Sequence, residues 1–217
     1  FMQSMPFFGI IAISATFVVT LGEIDLSFPS IVGITSLTFG LILTATDGNF
    51  FIAFALASAL GMFAGLINGL LVTKIGIPSI VATIGTLYFW RGLVNVVSQG
   101  SGVAIVDVAD GTWHHTLFVE KLFGLIPAQF IWFIILTGLL QWVYRYHKFG
   151  NHIHFVGDNK DSSQMMGINV DNIKIIAFVQ LGFFSSLAGI FTMYEMLYFW
   201  PTQGSGLMLT TLAAVFV

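Results

Sequence analysis

The sequence predicts an all-α fold, a polytopic bundle of transmembrane helices. Three observations predict it. Hydrophobic residues make up 57% of the 217 and charged residues only 8%, whereas a soluble domain carries roughly 25% charge to cover its surface. Seven apolar stretches approach the roughly 20 residues that a helix needs to cross bilayer hydrocarbon. Four of the seven lysines and arginines, Arg145, Lys148, Lys160 and Lys174, cluster around one connection. With too few charges to coat a globule, the chain faces an apolar solvent, the lipid bilayer.

The same composition excludes several function classes. A net charge of -3 provides no basic face for nucleic acid. The absence of cysteine removes disulfides and thiol-based metal or redox sites. No GxxxxGK[ST] stretch occurs, so a nucleotide cradle is not expected on this chain. His152 and His154 have no third ligand near them in sequence, and a metal site is not expected there. No Ser/His or His/Glu constellation points to an enzyme, so no catalytic residue is expected. The 23 phenylalanines suit lipid-facing surfaces.

The first span is expected over Phe7 to Leu21 and the second over Ile31 to Ala45. Between them, Gly22 to Ser30 holds Glu23, Asp25 and Pro29. Short spans around a Gly/Pro-interrupted segment resemble the discontinuous helices of transporters, so a break or re-entrant bend is expected here. Acidic residues at membrane depth are costly and usually functional, and Glu23 and Asp25 read as a polar gate or hinge. Asp25 or Ser27 also suits the cap of a helix that Pro29 begins. Both readings can hold together.

The third span, Phe51 to Val72, carries Gly61, Gly65 and Gly69 after Ala57. This spacing puts a smooth face on one side for close helix packing. Asn68, next to that face, either bonds across helices or lines a polar path. The fourth span, Ile80 to Val97, contains Arg91, expected to snorkel to the interface like Glu195 near the end of the sixth. The fifth runs from Ile126 to Tyr144, flanked by Pro127 and Arg145. The sixth runs from Ile173 to about Met196, and a seventh begins near Gly206. Phe1 and Val217 both lie inside apolar stretches, which reads as a fragment of a longer chain with one transmembrane domain over 1–217.

Arg145, Lys148, Lys160 and Lys174 mark the connection from Arg145 to Asn172 as cytoplasmic, because basic residues stay on that side. Alternation then puts Ser98 to Leu125 outside, Lys74 inside, Asp47 to Asn49 outside and Tyr198 to Ser205 outside. Trp200 falls at the headgroup level. His114 and His115 fall in the polar outer segment, with no particular role expected. In the basic connection, Asp161 to Met166 suits a short amphipathic helix ended by Gly167. It is either a docking element for a soluble partner or a solvated loop that only sets topology.

Gly22-Glu23-Ile24-Asp25-Leu26-Ser27-Phe28-Pro29-Ser30 resembles the GGIDLSVGS signature of the ribose- and xylose-type permeases of bacterial ABC sugar importers. Gly65 to Gly69 and Ile77 to Thr86 are similar to that family's next stretch, and Arg91-Gly92 to its RG pair. Val156 to Lys160 with Gly167 to Val170 resembles its cytoplasmic loop, and Pro201 to Gly206 a later motif. The motifs keep their order over nearly the whole chain. Glu23 and Pro29 stand where the signature has glycines, and Ser162-Ser163 where the loop has alanines. The family's first and last spans are absent.

The resemblance implies the permease subunit of an ATP-driven importer for a monosaccharide or related sugar, multi-pass in the bacterial inner membrane. Its implied partners are an ABC ATPase subunit, a periplasmic sugar-binding protein and a second permease subunit, identical or paralogous. ATP and magnesium belong to the ATPase, and no cofactor to this chain. Asp25, Ser27, Asn68 and Thr83 are expected at the translocation path or gate. Gly157, Asp158, Asn159, Gly167 and Ile168, within about 145–172, are expected to couple to the ATPase. Gly61, Gly65 and Gly69 are expected to pack helices. Permeases for branched-chain amino acids or nucleosides share the architecture, and the Ile24 to Ser27 sequence favours sugars. An ion-coupled secondary transporter using Glu23, Asp25 and Glu195 is the reading from a different class.

Overall fold

The fold, taken from a computed structural model of the chain, is described for residue 2 and for residues 4–122 and 124–216. Phe1 and Val217 lie outside the described residues. In chain order come α1 (Met5–Thr20), α2 (Phe28–Ala45), α3 (Phe50–Leu70) with a π-helical turn (Leu71–Ile75), and α4 (Ser79–Ser98). Next come β1 (Val103–Ala104), α5 (Val106–Ala109), α6 (Trp113–Phe118), β2 (Lys121–Leu122) and β3 (Ile126–Pro127). The chain continues through α7 (Ala128–Tyr146), α8 (Lys148–Asp158), α9 (Lys160–Met165), α10 (Val170–Met196), β4 (Tyr198–Phe199) and α11 (Leu207–Phe216).

Each of the seven apolar stretches holds a helix. Among the described residues, α2, α3 with its π turn, α4 and α10 are long and apolar enough to cross a membrane, while α1 and α11 are shorter apolar helices. α7 is not among the four; Gln129, Thr137, Gln141 and Arg145 dilute its apolar run. It also starts later than its sequence suggests. Ile126 and Pro127 pair with Leu122 and Lys121 in a short antiparallel ribbon, and the helix begins only after Pro127.

α10 is the centre of the bundle and packs against α3, α2 and α1. The Asn169 side chain opens it by accepting from the Asn172 N–H at 3.0 Å, a typical N-cap. Phe178, Leu181, Ala188 and Phe191 are buried along its length. Helices in lipid gain little from apolar burial against one another and associate through close van der Waals contact. The smooth face of α3 provides that contact. A Cβ at Gly65 would lie 2.2 Å from the Phe178 carbonyl oxygen, and one at Gly61 2.6 Å from that of Gly182. At Gly69 it would meet the Ile175 Cα at 2.9 Å. The opposite face of α3 leaves Ile52, Leu56 and Phe63 exposed.

The connections sort to two ends. One end gathers 22–27, 71–78 and 148–169, tied by the Lys74–Asp171 and Glu23–Lys174 ion pairs. The other gathers 46–49, 99–127 and 197–206, where β1 pairs antiparallel with β4 through Val103–Phe199 and Ala104–Tyr198.

At that second end His114 and His115, for which the sequence suggested no particular role, are buried. Phe50 stacks on His114 with centroids 5.4 Å apart and meets Trp113 at 5.8 Å and Phe118 at 5.4 Å. The Tyr194 hydroxyl lies 2.8 Å from His114 Nδ1, and Thr112 Oγ1 lies 2.9 Å from the same atom. The two histidines thus fasten α6 onto α10. Aromatic packing draws the rings in, hydroxyls meet His114 Nδ1, and His115 Nε2 lies 3.3 Å from the Tyr194 carbonyl oxygen, while His115 Nδ1 makes no hydrogen bond among the described residues.

Arg91 likewise departs from expectation. Instead of reaching for an interface, its guanidinium donates to the carbonyls of Pro201 at 2.9 Å, Gln203 at 3.0 Å and Pro29 at 3.4 Å. The turn at 200–206 folds inward over the start of α2, leaving carbonyls that need donors. Arginine's planar fork of five N–H groups supplies several at once.

Candidate functional site

α1 ends at Thr20, the N–H groups of Leu21, Gly22 and Glu23 close its last turn, and residues 24–26 take no helical hydrogen bonds before α2 begins at Phe28. An extended backbone among apolar helices must find partners for its N–H and C=O groups. α4 supplies them. The Ile24 N–H donates to Ser79 Oγ at 3.1 Å and the Leu26 N–H to Thr83 Oγ1 at 3.1 Å. Ser79, Thr83 and Thr86 lie on one face of α4 by their spacing, and that face is the rail along which the break runs.

Asp25 sits in the middle of the break with 5% of its surface exposed; Ser27, Asn68 and Thr83 have none. One Asp25 oxygen accepts from the Ser27 N–H at 2.6 Å and from Ser27 Oγ at 2.7 Å. The other accepts from Asn68 Nδ2 at 3.0 Å. Asn68 Nδ2 also donates to Ser27 Oγ at 2.7 Å, and Asn68 Oδ1 accepts from Thr86 Oγ1 at 2.7 Å. A buried carboxylate is tolerated when several donors converge on it, as here.

The structure therefore brings Asp25, Ser27, Asn68 and Thr83 together into one network, joined by Ser79 and Thr86. The network staples the break to α3 and α4. Its members are buried and bond to one another inside the chain. The capping alternative is met in a modified way. Asp25 accepts the N–H of Ser27, whereas the Ser27 side chain makes no cap bond to its helix. Pro29 lies within the first turn of α2, not in the break. Glu23, read as a gate or hinge, pairs with Lys174 of α10.

The second group of predicted residues lies in the helical pair α8–α9, which stands beside the long helices at the basic end. α8 is amphipathic, with Ile153 and Val156 buried and Asn151, His154 and Asp158 exposed. Gly157 seats it against the end of α1, where a Cβ would lie 2.1 Å from the Thr20 carbonyl oxygen. Asp158 closes α8, and Asn159 caps α9 by accepting from the Ser162 N–H at 2.9 Å. Gly167 follows α9 with φ of +81°, a left-handed conformation that glycine adopts freely. Ile168 is half-buried beside it. Asp158, Asn159 and Gly167 face solvent, as do Met165 and Met166.

The sequence reading missed Ser79 and Thr86 as network members, although their spacing with Thr83 is a visible signal. It also missed α8, although Phe149, Ile153 and Val156 recur at helical intervals. Nothing local signalled Glu23–Lys174 or Arg91 with the 200–206 turn, since these partners are far apart in sequence.

Comparison with known proteins adds three findings. The family described as "Branched-chain amino acid transport system / permease component" matches residues 1–217. The chain is 35% identical over 207 residues to the "Autoinducer 2 import system permease protein LsrC" of Yersinia pseudotuberculosis serotype O:3 (strain YPIII), covering 94% of this chain and 57% of that one. It is 34% identical over 206 residues to the protein of the same name from Photorhabdus luminescens, covering 94% of this chain and 60% of that one. The chain thus spans less than two thirds of the length of these relatives. No solved structure matches it.

Proposed function

We propose, from the premise that this chain belongs to the branched-chain amino acid transport system / permease component family, that it is the core of a permease subunit in an ATP-driven importer. The proposed cargo is a small sugar or sugar-like solute, and the proposed site is the inner membrane of a bacterium. The relatives named for autoinducer 2 import make that molecule one member of the cargo panel. The Ile24 to Ser27 sequence supports a sugar-type cargo over an amino acid.

The observation that carries the reading is the solvent-facing pair α8–α9 beside the long apolar helices. It is amphipathic, capped and seated on α1, with Arg145, Lys148, Lys160 and Lys174 in or beside it. Such a pair suits docking by a soluble partner, and in this reading ATP hydrolysis belongs to that partner. Asp158, Asn159, Gly167 and Ile168 are its proposed contacts, with Gly157 holding α8 in place. In this reading ATP binding moves the partner, α9 moves with it, and the long helices alternate between two packings.

For the network we propose the role of a gate hinge. Asp25, Ser27, Asn68 and Thr83 hold the break in one position against α3 and α4, and the path beside it opens when that position changes. A periplasmic binding protein and a second permease subunit complete the proposed assembly.

The test is a mild-detergent purification of the full-length protein from its host membranes. An ATP-binding-cassette subunit is expected to co-purify, and its hydrolysis is expected to rise with cargo-loaded binding protein. Uptake that survives ATP depletion but collapses with the ion gradient would instead establish a secondary transporter.

A further inference from the structure

At the basic end the helix break, the π-helical turn after α3, α9 and α10 meet around a cavity of about 300 Å³. Glu23, Lys160, Asp171 and Lys174 contribute charges to its wall. Two ion pairs form there. Lys74 Nζ lies 2.8 Å from Asp171 Oδ2 with side chains 55% and 37% exposed, so water screens both charges and the pair holds weakly. Glu23 and Lys174 are different, with side chains only 14% and 15% exposed. Little water screens their attraction, yet the cavity beside them can rehydrate both charges if they part.

The position of this pair matters more than its strength. Lys174 lies at the start of α10, just after the Gly167 to Asn169 corner that ends α9. Glu23 lies just before Asp25, the carboxylate at the centre of the network. The pair is thus a direct side-chain tie between the α9–α10 corner and the break. Lys160 of α9 lines the same cavity, so displacement of α9 changes the field on Glu23 as well as the position of Lys174.

We propose that the Glu23–Lys174 ion pair is a latch that transmits movement of α9 to the helix break, closing in one state of the transport cycle and opening in the other. The proposal rests on the importer reading above. Glu23 and Lys174 act here as positioning residues, through the break and not on the cargo.

The experiment uses the full-length permease in its complete complex, reconstituted in vesicles. Glu23→Gln and Lys174→Gln are each expected to lower ATP-driven uptake at least about tenfold. The exchanged pair Glu23→Lys with Lys174→Glu is expected to recover most of it. A second measurement combines Glu23→Cys with Lys174→Cys in a chain that otherwise has no cysteine over these residues. The yield of a short thiol-reactive crosslinker is then compared between nucleotide-free and ATP-trapped complexes. The latch predicts clearly different yields in the two states, a change that a static structural contact would not produce.

Equal yields, or single variants that transport like the wild type, overturn the latch while leaving the importer intact. A charge exchange that inserts normally but recovers nothing does the same. Absence of ATP-driven uptake in the unmodified complex overturns the importer reading and the latch with it.

Discussion

Asn68 bonds in three directions, to Asp25, Ser27 and Thr86. A single interhelical hydrogen bond in a membrane averages only about 0.6 kcal/mol, so the count of bonds alone understates what this residue does. Removing it takes the Asn68 donor from the buried Asp25 Oδ2, costing about 1–3 kcal/mol, while Ser27 Oγ keeps its bond to Asp25 and Thr86 Oγ1 its bond to the Thr83 carbonyl. Asn68→Ala is therefore expected to destabilise the subunit by about 1–3 kcal/mol, seen as a lower melting temperature in detergent. His114 allows a second prediction at this scale. Burial pushes its imidazole below the usual histidine range, and the neighbouring His115 adds to the effect. The unfolded state then binds the proton more readily, so stability is full above the ordinary histidine value and falls as pH drops through it. Trp113 is in ring contact with His114 at 5.4 Å, and its fluorescence should report acid loosening of α6 that His114→Gln abolishes. Tyr194, His115 and Asp110 are the other titratable groups around this cap.

At the scale of elements, the contact between α3 and α10 depends on absent side chains. A methyl group at Gly65 would collide with backbone, which cannot swing aside as a side chain can. Gly65→Ala is expected to cost about 1–3 kcal/mol by overpacking. Gly138 in α7 is the control, because a Cβ there meets no atom within 4 Å. Gly138→Ala should be neutral or stabilise by about 1 kcal/mol through helix propensity. Thermal unfolding of the two variants side by side checks the contrast. Equal effects would mean that α3 and α10 can separate at no cost.

For the whole molecule, the question is whether α8–α9 is a docking element. Gly167→Arg puts a side chain at a left-handed position, a strain of about 1–2 kcal/mol, and adds bulk and charge to an exposed corner. That strain is too small to unfold a bundle held by α10, so its effect is expected on coupling. ATP-driven uptake should fall to background while the amount of permease in the membrane stays at the wild-type level. Wild-type uptake in this variant would remove Gly167 from the docking surface.

The membrane class, the seven apolar helices and the smooth face of α3 were legible in the sequence, because each follows from composition or from spacing along one helix. The break at residues 22–27 was legible too, since an acidic segment bounded by Gly22 and Pro29 between short spans is a local signal. Its neighbours were not. A hydrogen bond between Asp25 and Asn68, a clamp from Arg91 to the 200–206 turn and an ion pair from Glu23 to Lys174 join residues that periodicity cannot relate. The sequence alone determined that this protein meets lipid and roughly where its apolar helices lie. Only the tertiary structure decided what its few polar side chains do, because a buried polar group takes its partner from whatever element packs beside it.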